Sequence, residues 1–455
     1  MIELVRQVAE TDPTRVAVLT HETSMTYAEL LASAEQVAAG LEPRSRLAVV
    51  DAEATTLLPL LLGACEVRVE LCQYPPEASP GEVAELAERF DHPTVLTPTS
   101  TRQLLTDSAG AGASTTDGSA GVGASTSAGS AGRPHLVLTT GTSGAPKGVR
   151  HDWDRLVRSV RRVSEAEDAP GQRWLLAYGL HQFAGLQILL HVFAAGATLV
   201  APAPRRPQEG LRAMRELGVT HVSATPTWWR FLLAEMRADK GPIPELEQIT
   251  LGGEAIPAPL LAQLTKAFPS ATISQVYAAS EFGSTGSQRD GRAGLAASVL
   301  ERDETADVQM KVVDGELWVR SRIGMLGYHG DEPIDPDAWR ATGDLVEIEG
   351  DRIVFRGRSS EIINVGGVKV HPLPIEERVG AVDGVDVARV FGRANAMTGA
   401  IVAVEVVAAP GADTAQLKDA IRESCKDLPA AARPRSIKFV DAISTAGNKI
   451  IRRAP

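Results

Sequence analysis

Little in this sequence marks it for nucleic acid, membrane or export. It lacks a basic excess: 46 Lys and Arg stand against 57 Asp and Glu, a net charge of −11. That balance argues against generic nucleic-acid binding. Only three cysteines occur, Cys65, Cys72 and Cys425, none in a short metal-ligand spacing. A disulfide framework is therefore not expected, and a reducing cytoplasm is. No hydrophobic run approaches the length of a membrane span. The apolar stretch "LLPLLLGAC" is short and reads as a buried helix. The opening "MIELVRQVAETDPTR" lacks the unbroken apolar core of a signal peptide, so the expected location is cytoplasmic. What is present is ordinary for a soluble chain: 455 residues, 44% hydrophobic and 23% charged, enough for a large core and two or more domains.

One more absence is informative. The stretch "LTTGTSGAPKGV", Leu138 to Val149, resembles a phosphate-binding Walker loop but lacks its Gly-Lys-Ser/Thr ending. Pro146 precedes Lys147 and Gly148 follows it. Two readings remain open from the residues alone. The segment is a surface turn rich in small residues, or it is an anion cradle. In the second case glycines let the backbone approach a phosphate, N–H and hydroxyl groups donate, and Lys147 supplies charge.

The rest of the chain shows a rhythm. "MTYAELLASAEQVAAGL" has helical spacing, and "SRLAVVDA" reads as a strand. Residues 107–132 hold little apolar bulk and read as a flexible linker. "HLVLTT" then predicts a strand, and "DRLVRSVRRV" a helix beyond the glycine-rich loop. "RWLLAYGL", "VTHVSATP" and "TISQVYAAS" read as strands. They alternate with the helical patterns "PQEGLRAMREL" and "PAPLLAQLTKAF", as in a parallel sheet covered on both faces. From about residue 310, "GELWVR", "LVEIEG" and "DRIVFRG" are short β segments. The tail from "DVARVFG" to "RSIKFV" reads as a small α+β unit of about one hundred residues.

Six blocks, taken in order, resemble the adenylate-forming superfamily of acyl-CoA synthetases, adenylation domains and firefly-type luciferases. They are Thr139–Gly148, "LGGEAIP" (Leu251–Pro257), "YAASE" (Tyr277–Glu281), "GELWVRS…GY", "ATGDLVEIEGDRIVFRGRSSEIINVGGVKVHPLPIEE" and "STAGNKIIR". The resemblance runs from residue 25 to 453 and is weakest before the linker. It implies an α/β fold: a large N-terminal domain with parallel sheets flanked by helices and a small β-rich subdomain, over residues 1–357. A small mobile α+β lid domain over 358–455 would follow, with the hinge near 358–360. It implies an ATP-dependent acid–CoA ligase that forms an acyl-adenylate, releases pyrophosphate and passes the acyl group to the CoA thiol. Loading a separate carrier protein or making an amide is the alternative, and an impaired nucleotide-binding homologue a third. ATP, Mg2+ and CoA are the cofactors and co-substrates so implied.

Residue by residue, the resemblance gives Thr139, Thr140, Gly141, Thr142, Ser143, Gly144 and Lys147 the ATP phosphates. Gly252, Gly253 and Glu254 form the turn beside adenine. Tyr277 stacks on the base, and Ser280 and Glu281 supply a hydroxyl and the magnesium carboxylate, oxygen being what a hard cation prefers. Asp344 accepts from the ribose hydroxyls, Arg358 reaches ribose or phosphate, and Lys449 bridges the adenylate's phosphate and carboxyl oxygens. Gly366 and Gly367 border the CoA tunnel. The acyl pocket would draw on His181, Phe183, Trp228, Gly253 and Ala278. His181 or Gln182 takes the gate position, the register being open, and Trp228 or Trp229 packs in the core or walls the pocket. No acidic residue stands where amino-acid-activating relatives pair with an ammonium. An aromatic, alicyclic or fatty carboxylic acid is therefore expected. Arg389, Arg393, Arg433 and Arg435 are candidate contacts for CoA phosphates. Ser360 at the hinge, Ala278, and Asn448 before the late lysine depart from the family's pattern. None removes a charged catalytic group.

Overall fold

The computed structural model describes residues 1–50, 53–107, 132–140, 145–160, 171–204, 206–239, 241–446 and 449–452. Most of the linker and positions 141–144 of the glycine-rich loop lie outside these residues. The chain falls into two compact units. The first comprises Met1–Gln172, Gly179–Pro202 and Ile323–Ile334; the second comprises Arg173–Tyr178, Ala203–Arg322 and Asp335–Pro455.

In the first unit the helix Tyr27–Gly40 starts at a capping box. Thr26 accepts from the Glu29 N–H, and the Glu29 carboxylate accepts from the Thr26 N–H at 2.8 Å. The expected buried helix is Ala54–Glu66, apolar nearly all round. It lies so close to Tyr27–Gly40 that a Cβ on Gly63 would meet the Ala34 carbonyl at 2.8 Å. A six-stranded sheet orders Gly327–Tyr328, Pro146–Asp152, Pro134–Thr140, Glu70–Gln73, Arg46–Val49 and Val95–Leu96. The strands from Pro134–Thr140 to Val95–Leu96 run parallel, and the first two pairings are antiparallel.

Here the structure corrects one expectation. A helix does not follow the glycine-rich loop directly. A strand, Pro146–Asp152, returns antiparallel to Pro134–Thr140, and only then comes the short helix Trp153–Arg158. The strands Pro134–Thr140 and Pro146–Asp152, on either side of the loop positions, form an antiparallel pair. The alternation of Val149 and His151, both buried, with the partly exposed Arg150 is what a strand requires.

His135 and His151 face each other across this pair. Both are buried; His135 Nδ1 and both ring nitrogens of His151 find no hydrogen-bond partner among the described residues. The His151 ring stacks on Phe183 at 5.0 Å. Burial holds both imidazoles near a pKa of about 3, so the folded state keeps them neutral. An unfolded histidine takes up a proton below about pH 6.5. Stability is therefore lost as pH falls through that value, by about 2 kcal/mol per residue at pH 5. His151→Phe, which keeps the ring stack, should show a smaller fall in Tm between pH 7.5 and pH 5 than the parent protein. Equal falls would refute this.

The second unit opens with a parallel sheet, Arg173–Leu175, His221–Ala224, Gln248–Gly252 and Thr272–Ala279. Gly283–Gln288 closes it antiparallel. A five-stranded antiparallel sheet follows in the order Leu295–Ala296, Arg352–Arg358, Arg340–Glu349, Glu316–Ser321, Val308–Val313. The tail builds the sheet Val368–Val370, Ile363–Val365, Gly399–Ala408, Val385–Asn395, with Ser436–Phe439 parallel to Gly399–Ala408. Its core is Ile375, Val390, Val402, Val404 and Val406, with Leu417 and Ile421 from the helix Thr414–Ser424. This is the α/β class with a β-rich segment and a C-terminal α+β element. Among the described residues no helix is long and apolar enough to cross a membrane.

Candidate active site

The second unit gathers one set of expected residues. Tyr277 sits near the end of Thr272–Ala279, its ring 5.3 Å from Phe355. Thr285 donates to its backbone carbonyl. Its hydroxyl donates to Asp344 Oδ2 at 2.6 Å, and Arg358 Nε donates to Asp344 Oδ1 at 2.9 Å. One carboxylate thus joins the phenol to the guanidinium. Its own backbone is set by Thr342, whose hydroxyl accepts from the Asp344 N–H at 3.0 Å. Desolvation and then Asp344 push the Tyr277 pKa well up, so the phenol stays a donor. Desolvation alone would lower the Arg358 pKa, but Asp344 outweighs it and the net shift is upward.

Ser280 and Glu281 make the turn between Thr272–Ala279 and Gly283–Gln288, and Arg340 donates to the Glu281 carbonyl at 3.0 Å. Gly252 ends the strand Gln248–Gly252, and its carbonyl accepts from the Tyr178 hydroxyl at 3.3 Å. Gly253 has φ +82°; a Cβ there would lie 3.1 Å from Lys449 Cε and 3.4 Å from Nζ. Glu254 accepts from two backbone N–H groups, Thr227 at 3.1 Å and Ile450 at 3.0 Å. Lys449 is exposed as a residue, yet protein atoms crowd its ammonium. That desolvation lowers its pKa; Arg358 adds to the effect, and Glu254, Glu281 and Asp344 oppose it.

Trp228 and Ala278 belong to the same unit. Trp228 is buried, with its indole against Gly210 of the helix Pro207–Glu216 and edge-on to Trp229 at 5.2 Å. Ala278 is half-buried and pairs with Ser284. Gly366 and Gly367, φ +58° and +88°, form the exposed turn of the hairpin from Ile363 to Val370. Those angles are what a tight two-residue hairpin turn demands. Arg389 is buried beside Glu405 and over the Phe391 ring, whereas Arg393 reaches Ser436 at 3.0 Å on the surface.

The first unit carries the others. Thr139 and Thr140 end the strand before the loop, and Lys147 is the second residue of the strand after it. Its ammonium lies 5.0 Å from the Tyr328 ring centroid. Gly141, Thr142, Ser143 and Gly144 fall outside the described residues. Phe183 is buried against His151. The His181 ring occupies the space a Cβ at Gly179 would need, and burial lowers its pKa.

Several contributors were not singled out from sequence: Tyr178, Thr227, Thr285, Thr342 and Phe355. Tyr178 lies inside "RWLLAYGL", read from sequence as a strand. Thr227 acts through its backbone N–H, which no residue type announces.

This constellation sits in a chain that matches the AMP-binding enzyme family over residues 5–329 and the AMP-binding enzyme C-terminal domain over residues 374–449. The chain belongs to the AMP-binding enzyme family. Among curated relatives, the 2-succinylbenzoate--CoA ligase of Salmonella typhimurium is 29% identical over 54% of this chain and 52% of its own length. The chain thus spans about half of that relative. The fatty acid--[acyl-carrier-protein] ligase ScoC of Streptomyces coeruleorubidus is 26% identical over 98% of this chain and 93% of its own. Among solved structures, the anthranilate CoA ligase AuaEII with anthranoyl-AMP aligns with a TM-score of 0.82 at 18% identity, covering 99% of this chain and 95% of its own. The o-succinylbenzoate CoA synthetase of Bacillus subtilis with its acyl-adenylate gives 0.74 at 21%, covering 99% and 96%. These structural likenesses establish the fold.

Proposed function

We propose that the protein is an ATP-dependent, AMP-forming acid–thiol ligase, with CoA as the acceptor. The observation that carries this is the joint placement of Tyr277 and Arg358 on the Asp344 carboxylate, with Lys449 over Gly253 in the same compact unit. The donor set suits a nucleotide. Arg358 and Lys449 are cationic, Asp344 is an acceptor for a diol, and Gly253, having no Cβ, lets Lys449 lie across it. The names of relatives point the same way: several are acid–CoA ligases.

In this reading a carboxylate oxygen of the acid attacks the α-phosphorus of ATP and pyrophosphate leaves. The thiol then attacks the acyl carbonyl and AMP leaves. The chain's task is positioning and charge neutralisation. Thr139 through Ser143 and Lys147 hold the outer phosphates, Asp344 and Arg358 the ribose side, and Lys449 the oxygens that gain charge. Among the described residues no cluster of three His, Cys, Asp or Glu could hold a resident metal. Magnesium takes one or two carboxylates plus phosphates and water. Glu281 therefore fits an ion that arrives with the nucleotide, where it offsets phosphate charge.

The second reading is that the acceptor is a carrier protein, favoured by the near full-length match to the carrier-protein ligase ScoC. An aromatic, alicyclic or fatty acid remains the proposed substrate class, and the domain boundary near 358 with a hinge at 358–360 remains a proposal with it. Pyrophosphate release across a panel of such acids tests the first step. Competition between CoA and a phosphopantetheinylated carrier then separates the acceptors. Absence of pyrophosphate release with every acid in the panel would overturn the reading. Asp344→Asn should raise KM for ATP about tenfold, the cost of one charge-assisted hydrogen bond, with a smaller effect on kcat. An unchanged KM would remove Asp344 from the nucleotide site.

A further inference from the structure

The Glu254 carboxylate accepts from two backbone N–H groups: one oxygen from Thr227 N–H at 3.1 Å, the other from Ile450 N–H at 3.0 Å. Thr227 lies in the first turn of the helix Pro226–Asp239, where unpaired N–H groups and the helix dipole favour an anion. Ile450 follows Lys449 directly, in the short strand Lys449–Ile450. The next N–H, that of Ile451, donates to the Ser444 carbonyl at 3.1 Å, so by the alternation of an antiparallel pair the Ile450 N–H faces the other way, where Glu254 receives it. The Ile450 side chain is buried with Val387 and Ile443, and with Phe231 of the same helix. Next to Glu254, the lysine passes over Gly253, whose absent side chain leaves the path open.

We propose that Glu254 is the positioning residue for Lys449: by holding the Ile450 N–H against the start of the Pro226–Asp239 helix, it fixes the lysine's backbone where its ammonium serves adenylate formation. The inference rests on the function proposed above. It gives Glu254 a role different from contact with the base. A carboxylate suits the task because it offers an acceptor on each side, and charge-assisted bonds to N–H groups are stronger than neutral ones. An amide offers only one acceptor and turns an NH2 toward the other N–H. Glu254→Gln is thus a near-isosteric substitution that removes one of the two bonds.

Two measurements on the full-length protein test this. The first needs no substrate: amide hydrogen exchange at Ile450 should be at least about tenfold faster in Glu254→Gln than in the parent. The second is single-turnover pyrophosphate release with the best acid of the panel. Glu254→Gln and Glu254→Ala should lower that rate about 10- to 100-fold, with KM for ATP changed less than about threefold. The double variant Glu254→Gln/Lys449→Ala should be no slower than Lys449→Ala alone, since a residue acting through the lysine has nothing left to position. Transfer from pre-made acyl-adenylate to the thiol should be retained. If Glu254→Ala does not fold, Glu254→Gln decides. Unchanged Ile450 exchange, a release rate within threefold of the parent, or multiplicative loss in the double variant would each overturn the inference alone. Full adenylation by Lys449→Ala would overturn the proposed function, and the inference with it.

Discussion

Lys449→Ala is expected to slow adenylate formation at least about a hundredfold while leaving ATP binding nearly unchanged. The reasoning begins with where the ammonium sits. Lys449 is exposed as a residue, yet the protein around its ammonium disfavours the charge by partial desolvation; Arg358 adds to this, and Glu254, Glu281 and Asp344 oppose it. A cation held in such surroundings interacts more strongly with developing negative charge than one in bulk water does. The charge it meets grows on the oxygens between acid and phosphorus during the reaction, not in the bound ground state. Removing it should therefore cost rate more than affinity. Alanine also leaves Gly253 uncovered, since it is the lysine's Cε and Nζ that lie over that residue. Single-turnover pyrophosphate release gives the rate, and equilibrium dialysis with ATP gives the affinity. A rate within a few-fold of the parent would refute the assignment. Transfer of the acyl group from pre-made acyl-adenylate should survive, because that step breaks the bond to AMP without further need of the lysine.

Much of this arrangement was legible in the residues. The capped helix Tyr27–Gly40, the buried Ala54–Glu66, and the alternation of helix and strand from Arg173 to Ala279 follow from local pattern. Local consistency of cap, periodicity and turn is strong evidence for an element. Tyr277, Asp344, Arg358 and Lys449 were expected at one site, and the structure brings them into one unit. Other features were hidden for physical reasons. The strand Pro146–Asp152 opens with Pro-Lys-Gly and buries the polar residues His151 and Asp152, which mask its period of two. Its outer partner is Gly327–Tyr328, far along the chain. Arg150 is accommodated because Glu70, almost fully buried, bridges it at 3.2 Å and Arg46 at 2.8 Å. Such a bridge joins three elements distant in sequence, and no local window contains it. The same holds for Glu254, whose partners are backbone groups in two separate segments.

Arg452→Met is expected to destabilise the folded protein by about 3–5 kcal/mol, the usual cost of removing one partner from a buried ion pair. Glu376, only 4% exposed, receives Arg452 through two bonds, 3.1 Å from Nε and 2.8 Å from Nη2. The Val390 N–H donates to the same carboxylate at 3.2 Å, and Glu361 stands 3.6 Å from the guanidinium. Desolvation works against the charged arginine, but Glu376 and Glu361 more than compensate and its pKa is raised. Methionine fills part of the space and supplies no charge, so among the described residues Glu376 would be left with the Val390 N–H as its donor. The pair itself need not be net stabilising against an apolar replacement, since both charges had to be dehydrated. The double variant Arg452→Met/Glu376→Leu should therefore recover most of the loss. Because Arg452 stands two residues beyond the Lys449–Ile450 strand, the single variant should also loosen that strand's end and slow adenylation. Denaturant unfolding of the parent, the single and the double variant measures the stability terms. A loss below about 1 kcal/mol in Arg452→Met, or a double variant no more stable than the single, would show that the buried pair does not anchor this end of the chain.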